Sequence, residues 1–191
     1  MSGASIDATG HTDHFSGVRI PAAFAAAVFV LGCFVRFGFS GRALVGAFFC
    51  VVLVVLSVID LEQRLIPNRI VLPATVVVLA AQAALYGGES VEFLVAAGAA
   101  ALFLLLPLLV YPAGMGMGDV KLAAFLGAAL GRDVVDAFVV AFFAVAAVAV
   151  VILVREGSTA RKRAIAFGPF LAGGGITALF FGESIVRGFF G

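Results

Sequence analysis

The sequence predicts an all-α integral membrane protein, a polytopic bundle of six long apolar helices plus one short segment. Hydrophobic residues make up 63% of the 191 residues and charged residues only 12%, whereas soluble domains contain roughly 45–50% and about 25%. The apolar residues form runs close to the roughly 20 residues that one membrane crossing requires. The 12 basic and 11 acidic residues nearly cancel, so a nucleic-acid partner is not expected.

The chain divides into a polar tail and one membrane domain. Residues 1–19 are expected to form a disordered tail, because they lack the compact basic start of a signal peptide. Residues 20–191 are predicted to form a single transmembrane domain. Its six long apolar runs are Ile20–Val35, Ala43–Ile59, Ile70–Tyr86, Val91–Tyr111, Val134–Val154 and Ala164–Phe181.

A seventh apolar run, Val120–Leu130, is too short to cross a bilayer by itself. Eleven residues of helix rise only about 16 Å, and the hydrocarbon core is about 30 Å thick. The segment must therefore enter the membrane partway, or run obliquely while its neighbours shield it from lipid.

The distribution of Lys and Arg predicts the orientation, provided that the short segment counts as a crossing. The basic loop 155–163 is placed in the cytoplasm by the positive-inside rule. Counting back from it, eight basic residues lie inside and four outside, with the N-terminus inside and the C-terminus outside. Arg36 and Arg42 lie outside and are the exception to the bias. The same count places Asp60 and Asp119 at the cytoplasmic face.

Small residues within the apolar runs indicate close helix packing, since lipid provides no hydrophobic force between helices. The glycines predicted to allow this approach are Gly98, Gly127, Gly173, Gly174 and Gly175. Cys33 and Cys50 lack the spacing of a disulfide, zinc or redox motif, and each is interpreted as a packing or lipid-facing residue. No metal and no cofactor are expected.

Two carboxylates stand at the ends of apolar segments, where polar groups are costly and indicate function by default. Asp60 follows nine apolar or small residues, and Asp119 lies within the sequence Gly-Met-Gly-Asp-Val-Lys at 116–121. Each also has a structural interpretation. Asp119 would serve as the N-cap of the short helix, and Asp60 would pair with Arg64 at helical spacing. Because both aspartates lie at the same predicted membrane face, we favour a functional pair.

A close pair of aspartates can hydrolyse a peptide bond without a metal or a covalent intermediate. Two carboxylates within a few ångström do not both ionise readily, so one retains its proton. The ionised carboxylate takes a proton from the attacking water, while the protonated one donates to the carbonyl oxygen. Other hydrolytic groups are not indicated, since His11 and His14 lie outside the apolar runs and no serine has a nucleophile-elbow pattern.

The sequence resembles the type IV prepilin peptidases and archaeal preflagellin peptidases, membrane aspartyl proteases with a Gly-x-Gly-Asp motif. Three ordered segments carry the resemblance. Residues 116–121 match the motif and its usual continuation. Residues 60–68 look like the first catalytic region, and residues 167–172, Phe-Gly-Pro-Phe-Leu-Ala, look like the late Gly-Pro segment. The likeness covers about residues 43–182, in the short, peptidase-only form.

By this resemblance, Asp60 and Asp119 are the catalytic pair of an aspartyl peptidase domain at 20–191. The residues implied to bind substrate or support the pair are Gly116, Gly118, Lys121, Arg64, Pro67 and Asn68. The implied substrate is a type IV pilin, archaellin or pseudopilin precursor, which loses a short basic leader at the cytoplasmic face of a prokaryotic plasma membrane. N-methyltransferase activity is not expected, because nothing here corresponds to the Cys-x-x-Cys domain of larger members. A homo-oligomer is left open.

Two alternative functions are carried forward. A presenilin-like or signal-peptide-peptidase-like intramembrane protease shares the Gly-x-Gly-Asp chemistry, but it would place both aspartates deeper within long spans. A non-enzymatic protein, such as a proton-linked carrier using the aspartates as a relay, would favour repeated halves with interrupted helices. Neither aspartate motif has a second copy in the other half of this sequence.

Overall fold

The computed structural model describes residues 13–110, 116–156 and 166–190, which are almost entirely helical. The helices are α1 (Asp13–Phe37), α2 (Gly41–Gln63), α3 (Asn68–Tyr86), α4 (Val91–Val110), α5 (Met117–Leu130), α6 (Val134–Glu156) and α7 (Gly168–Phe190). Short 3₁₀ turns at Gly87–Ser90 and Gly131–Asp133 connect α3 to α4 and α5 to α6. No strand occurs in these three ranges, and the predicted all-α membrane fold is confirmed.

The ends of the bundle differ from the predicted bounds. Helix α1 begins at Asp13, inside the predicted tail 1–19, while residues 1–12 lie outside the described part of the chain. Five helical stretches are long and apolar enough to cross a membrane, namely α1 to α4 and the stretch Met117–Arg155, which contains α5 and α6. The sixth predicted crossing, Ala164–Phe181, corresponds to α7, which begins at Gly168.

Helix α5 lies at the centre of the bundle. It packs most extensively on α4, with further contacts to α3 and α7. Five of its side chains are at most 1% exposed: Leu122, Ala123, Phe125, Leu126 and Ala128. Its 14 residues rise about 21 Å, less than the thickness of the hydrocarbon core. The surrounding helices shield it from lipid, as expected for so short a segment.

Glycines permit the closest helix contacts. A Cβ atom on Gly127 would overlap the backbone carbonyl of Ala96 in α4, and one on Gly174 would overlap the carbonyl oxygen of Ala137 in α6. A Cβ on Gly175 would lie 3.0 Å from the Leu126 side chain in α5. At these three positions the absence of a side chain allows the helices to meet.

Gly127→Ala is therefore expected to destabilise the bundle by roughly 1–3 kcal/mol, the usual cost of overpacking. The added methyl group would meet backbone, which cannot rotate away as a side chain does. Gly98→Ala is the matched control, because a Cβ there meets no heavy atom within 4 Å. The thermal unfolding midpoint of each purified variant in detergent tests this difference, and equal midpoints would contradict it.

Gly173, like Gly98, has no heavy atom within 4 Å of where its Cβ would lie. The predicted close approach is therefore wrong at Gly98 and Gly173.

The two cysteines pack against each other between α1 and α2. Cys33 and Cys50 are both fully buried, and their Sγ atoms lie 3.9 Å apart. The lipid-facing interpretation is therefore wrong for both residues, and the packing interpretation is confirmed. Sequence spacing gave no sign of this contact, since the residues belong to different helices.

Candidate active site

Asp60 is placed at one end of the bundle by the way in which α2 ends. It lies in the last turn of α2 and is only 6% exposed. The next residue after the helix, Arg64, adopts a left-handed conformation with φ 51°, and its N–H donates to the Asp60 carbonyl oxygen at 2.8 Å. The chain then turns directly into α3, whose N-cap is Pro67.

The carboxylate of Asp60 is held by the start of α7. The backbone N–H of Gly168 donates to Asp60 Oδ2 at 3.1 Å, in a buried contact between residues 108 positions apart. A Cβ atom on Gly168 would lie 2.6 Å from the same oxygen, so only glycine permits this approach. The free amides of a helix start stabilise a carboxylate there. The first residue of α7 thus fixes the position of Asp60.

Asp119 lies in the first turn of α5 and is 9% exposed. Its Oδ2 accepts the N–H of Gly116 at 3.2 Å, and its own N–H donates to the Gly116 carbonyl oxygen at 3.1 Å. An acidic residue at the third helical position commonly reaches back to the N-cap in this way. The helix therefore begins at Met117, three residues before the predicted Val120, and the N-cap is Gly116 instead of Asp119.

The two aspartate segments are packed against each other. A Cβ atom on Gly118 would lie 2.9 Å from Ile66 Cβ, in the loop before α3. Lys121 Nζ donates to Asn68 Oδ1 at 2.6 Å. These contacts join residues 60–68 to residues 116–121, so Asp60 and Asp119 lie at the same end of the bundle.

Some predicted supporting residues do not contact the carboxylates. Arg64 is exposed, and no ion pair joins it to Asp60 in the part of the chain that the structure describes. The predicted pairing is wrong because Arg64 lies beyond the helix end, where the spacing of four residues no longer aligns the side chains. Lys121 bonds to Asn68, and Pro67 contributes its carbonyl oxygen, which accepts the N–H of Ile70 at 3.0 Å.

Gly168 is the site residue that sequence reasoning missed. Its segment resembled the late Gly-Pro segment of the family, yet nothing in the local pattern linked it to Asp60. The only available signal was therefore the resemblance itself.

Among the described residues, no three His, Cys, Asp or Glu side chains are grouped as metal ligands would be.

Gly118→Ala is expected to lower the rate of any reaction at this site by about tenfold or more. The new Cβ would press on Ile66 and displace the start of α5, and small displacements of reacting groups are costly. Gly173→Ala serves as control, since its Cβ would meet no heavy atom within 4 Å. Turnover of the precursor substrate that the resemblance implies, measured for the two variants, tests the difference, and an unchanged rate for Gly118→Ala would contradict the importance of this contact.

Comparison with known proteins places the chain in a family. The family model described as "Type IV leader peptidase family" matches residues 47–154, more than half of the chain. A Bacillus subtilis (strain 168) protein named prepilin leader peptidase/N-methyltransferase is 30% identical over 175 residues, covering 89% of this chain and 71% of that protein. No solved structure matches the chain.

Two further relatives with the same printed name are more similar in sequence. The protein from Burkholderia pseudomallei (strain K96243) is 35% identical over 175 residues, covering 87% of this chain and 56% of that protein. The protein from Pseudomonas aeruginosa PAO1 is 33% identical over 159 residues, covering 80% and 54%. The chain thus spans little more than half the length of these two relatives. With its five apolar stretches, it is a prokaryotic multi-pass membrane protein that belongs to the type IV leader peptidase family.

Proposed function

We propose that this chain is a membrane aspartyl endopeptidase that removes the short basic leader from prepilin-like precursors at the cytoplasmic face of the plasma membrane. The observation that carries the proposal is the convergence of three distant segments on two buried carboxylates. Asp60 accepts a bond from Gly168, and its segment packs on that of Asp119 through Gly118 and Ile66. The names of the relatives, prepilin leader peptidases, supply the substrate class.

In the proposed reaction the two carboxylates act on one water molecule and one peptide bond. The ionised carboxylate accepts a proton from water as it attacks the carbonyl carbon, and the protonated carboxylate donates to the carbonyl oxygen. The tetrahedral intermediate then collapses as the first carboxylate gives the proton it took from water to the departing amine, and the second carboxylate regains its proton from the hydroxyl of the intermediate. The backbone N–H groups of Gly168 and Gly116 keep both carboxylates in place, which reduces the cost of aligning the reacting groups.

The position of the pair at helix ends suits a substrate with a polar leader and an apolar helix. Leu61, Leu65 and Met117 belong to the two aspartate segments or adjoin them in sequence, and each is more than half exposed. Their apolar side chains offer a contact for the substrate helix, which stays in the bilayer while the leader lies in the cytoplasm. Helices in lipid associate through such close contacts. We therefore propose that the position at which the substrate helix docks on these side chains determines which of its peptide bonds is cleaved.

The positions of Asp60 and Asp119 favour this proposal over an intramembrane protease of the presenilin type. Asp60 lies in the last turn of α2 and Asp119 in the first turn of α5. A protease that cleaves within the bilayer would place its carboxylates nearer the middle of its helices. No observation favours the proton-linked carrier.

Cleavage of a purified prepilin-like precursor in liposomes tests the proposal. The wild-type protein is incubated with the precursor, with and without a chelator, and the product is identified by N-terminal sequencing. Cleavage between leader and apolar helix that survives chelation is the expected result. No cleavage, or cleavage inside the apolar helix, would contradict the proposal.

Methyl transfer is a separate activity that appears in the printed names of the relatives. The expectation that this chain lacks it stays a prediction. The mass of the processed product, in the presence of a methyl donor, shows whether one methyl group has been added.

A further inference from the structure

A cavity of about 370 Å³ opens at the end of the bundle opposite to the aspartates. It lies between the end of α1, the start of α2, the ends of α3 and α5, and the far part of α7. Three of its apolar lining residues, Val45, Phe49 and Leu179, are buried or half-buried. Its polar lining includes Arg36, Arg42 and Arg132. The cavity lining is therefore mixed, with apolar side chains beside three arginines and the two carboxylates Glu92 and Asp133.

Part of the charge in this lining is neutralised. Arg132 Nε lies 3.1 Å from Glu92 Oε1, and this ion pair joins α4 to the turn after α5. Asp133 also lines the cavity and is not without an interaction partner. The Arg132 guanidinium is thus neutralised within the protein.

Arg36 and Arg42 have no carboxylate partner among the residues that the structure describes. The Arg42 guanidinium lies over the Tyr86 ring, 5.0 Å from its centroid, and the Arg36 guanidinium lies over the Phe37 ring at 5.8 Å. Ring contacts of this kind orient a guanidinium and leave its N–H groups free to donate. Both arginines also lie on the predicted outer side of the membrane, against the positive-inside bias. Attraction to headgroups on the cytoplasmic side therefore does not explain them.

We propose that this cavity binds an anionic phospholipid, with its phosphate between Arg36 and Arg42 and an acyl chain over the apolar lining. A guanidinium matches the geometry of phosphate oxygens and forms charge-assisted hydrogen bonds with them. The arginines stand at helix ends, where lipid headgroups lie, and basic pockets between membrane helices are a common form of lipid site. The apolar lining around Phe49 favours a lipid over a soluble phosphate, which would leave that surface unfilled.

Native mass spectrometry of the full-length protein in detergent tests the proposal. The protein is titrated with phosphatidylglycerol, with phosphatidylcholine of the same chains, and with glycerol phosphate, which has the charge but no tail. The double variant Arg36→Gln/Arg42→Gln is compared with Arg69→Gln/Arg155→Gln. The control pair removes two exposed arginines from the other end of the bundle.

Wild type and the control variant are expected to bind phosphatidylglycerol at least about tenfold more tightly than the Arg36→Gln/Arg42→Gln variant. A tenfold loss corresponds to the loss of one charge-assisted hydrogen bond. Phosphatidylcholine and glycerol phosphate should bind more weakly to wild type. Equal binding of the two lipids, or equal loss in both variant pairs, would overturn the proposal. Equal binding of glycerol phosphate would show an anion site without lipid. The comparison of ligands on wild type decides the matter even if the variant does not fold.

Discussion

Replacing either aspartate by asparagine is expected to abolish precursor cleavage and to leave the fold intact. Asp60→Asn and Asp119→Asn each remove one ionisable group from a pair that works together, and general acid–base catalysis contributes about 10²–10⁴-fold. The double variant should be no worse than either single one, because the two groups serve the same step. The asparagine side-chain oxygen can still accept the N–H of Gly168 or Gly116, so the contacts that position each residue persist.

The initial cleavage rate and the thermal unfolding midpoint of each variant are measured together. Asp136→Asn is the control, since Asp136 is 2% exposed in the first turn of α6, at the other end of the bundle. It should cleave at the wild-type rate. Wild-type rates for Asp60→Asn and Asp119→Asn would show that the aspartates only cap helices. Loss of folding in both would favour a structural role.

Gly168→Ala is expected to reduce cleavage by about 10²-fold, the cost of misplacing a reacting group by about 1 Å. The new Cβ would lie 2.6 Å from Asp60 Oδ2 and 3.0 Å from its Cγ, so the carboxylate must move away from its position. The helix itself should not suffer, because alanine is a better helix former than glycine. The effect should therefore appear in kcat with little change in the unfolding midpoint.

The matched control for this variant is Gly173→Ala, in the same helix. A Cβ at Gly173 would meet no heavy atom within 4 Å, so both the rate and the midpoint should remain close to those of wild type. If Gly168→Ala retains the wild-type rate, the contact between α7 and Asp60 has no part in positioning the carboxylate. If it unfolds the protein instead, the contact is structural.

The membrane fold could be predicted from the sequence because each crossing corresponds to one local run of apolar residues. The aspartates could be singled out for the same local reason, as carboxylates at the ends of such runs. Helix boundaries were less predictable, since the start of α5 at Met117 depends on a bond from Gly116 to a side chain three residues away. Local composition does not show which polar group will satisfy a helix end.

The individual hydrogen bonds between distant segments could not be predicted. The bond from Gly168 to Asp60 spans 108 residues. The buried Gln82 of α3 donates to the Ala129 carbonyl oxygen in α5 at 2.9 Å, and nothing around Gln82 in the sequence indicates this partner. Such bonds result from the packing of whole helices, which a single sequence without related ones does not reveal.

The enclosed position of α5 has a consequence for how the protein enters the membrane. A helix of 14 residues cannot be held across the bilayer by its own hydrophobicity, because its length falls short of the hydrocarbon core. Insertion of α5 must therefore follow or accompany that of α4, its main packing partner, and of the longer α6 that continues from it. Asp119 reaches the site only once α5 has packed against α4. The carboxylate pair therefore forms late in biogenesis, when most of the chain is already in place.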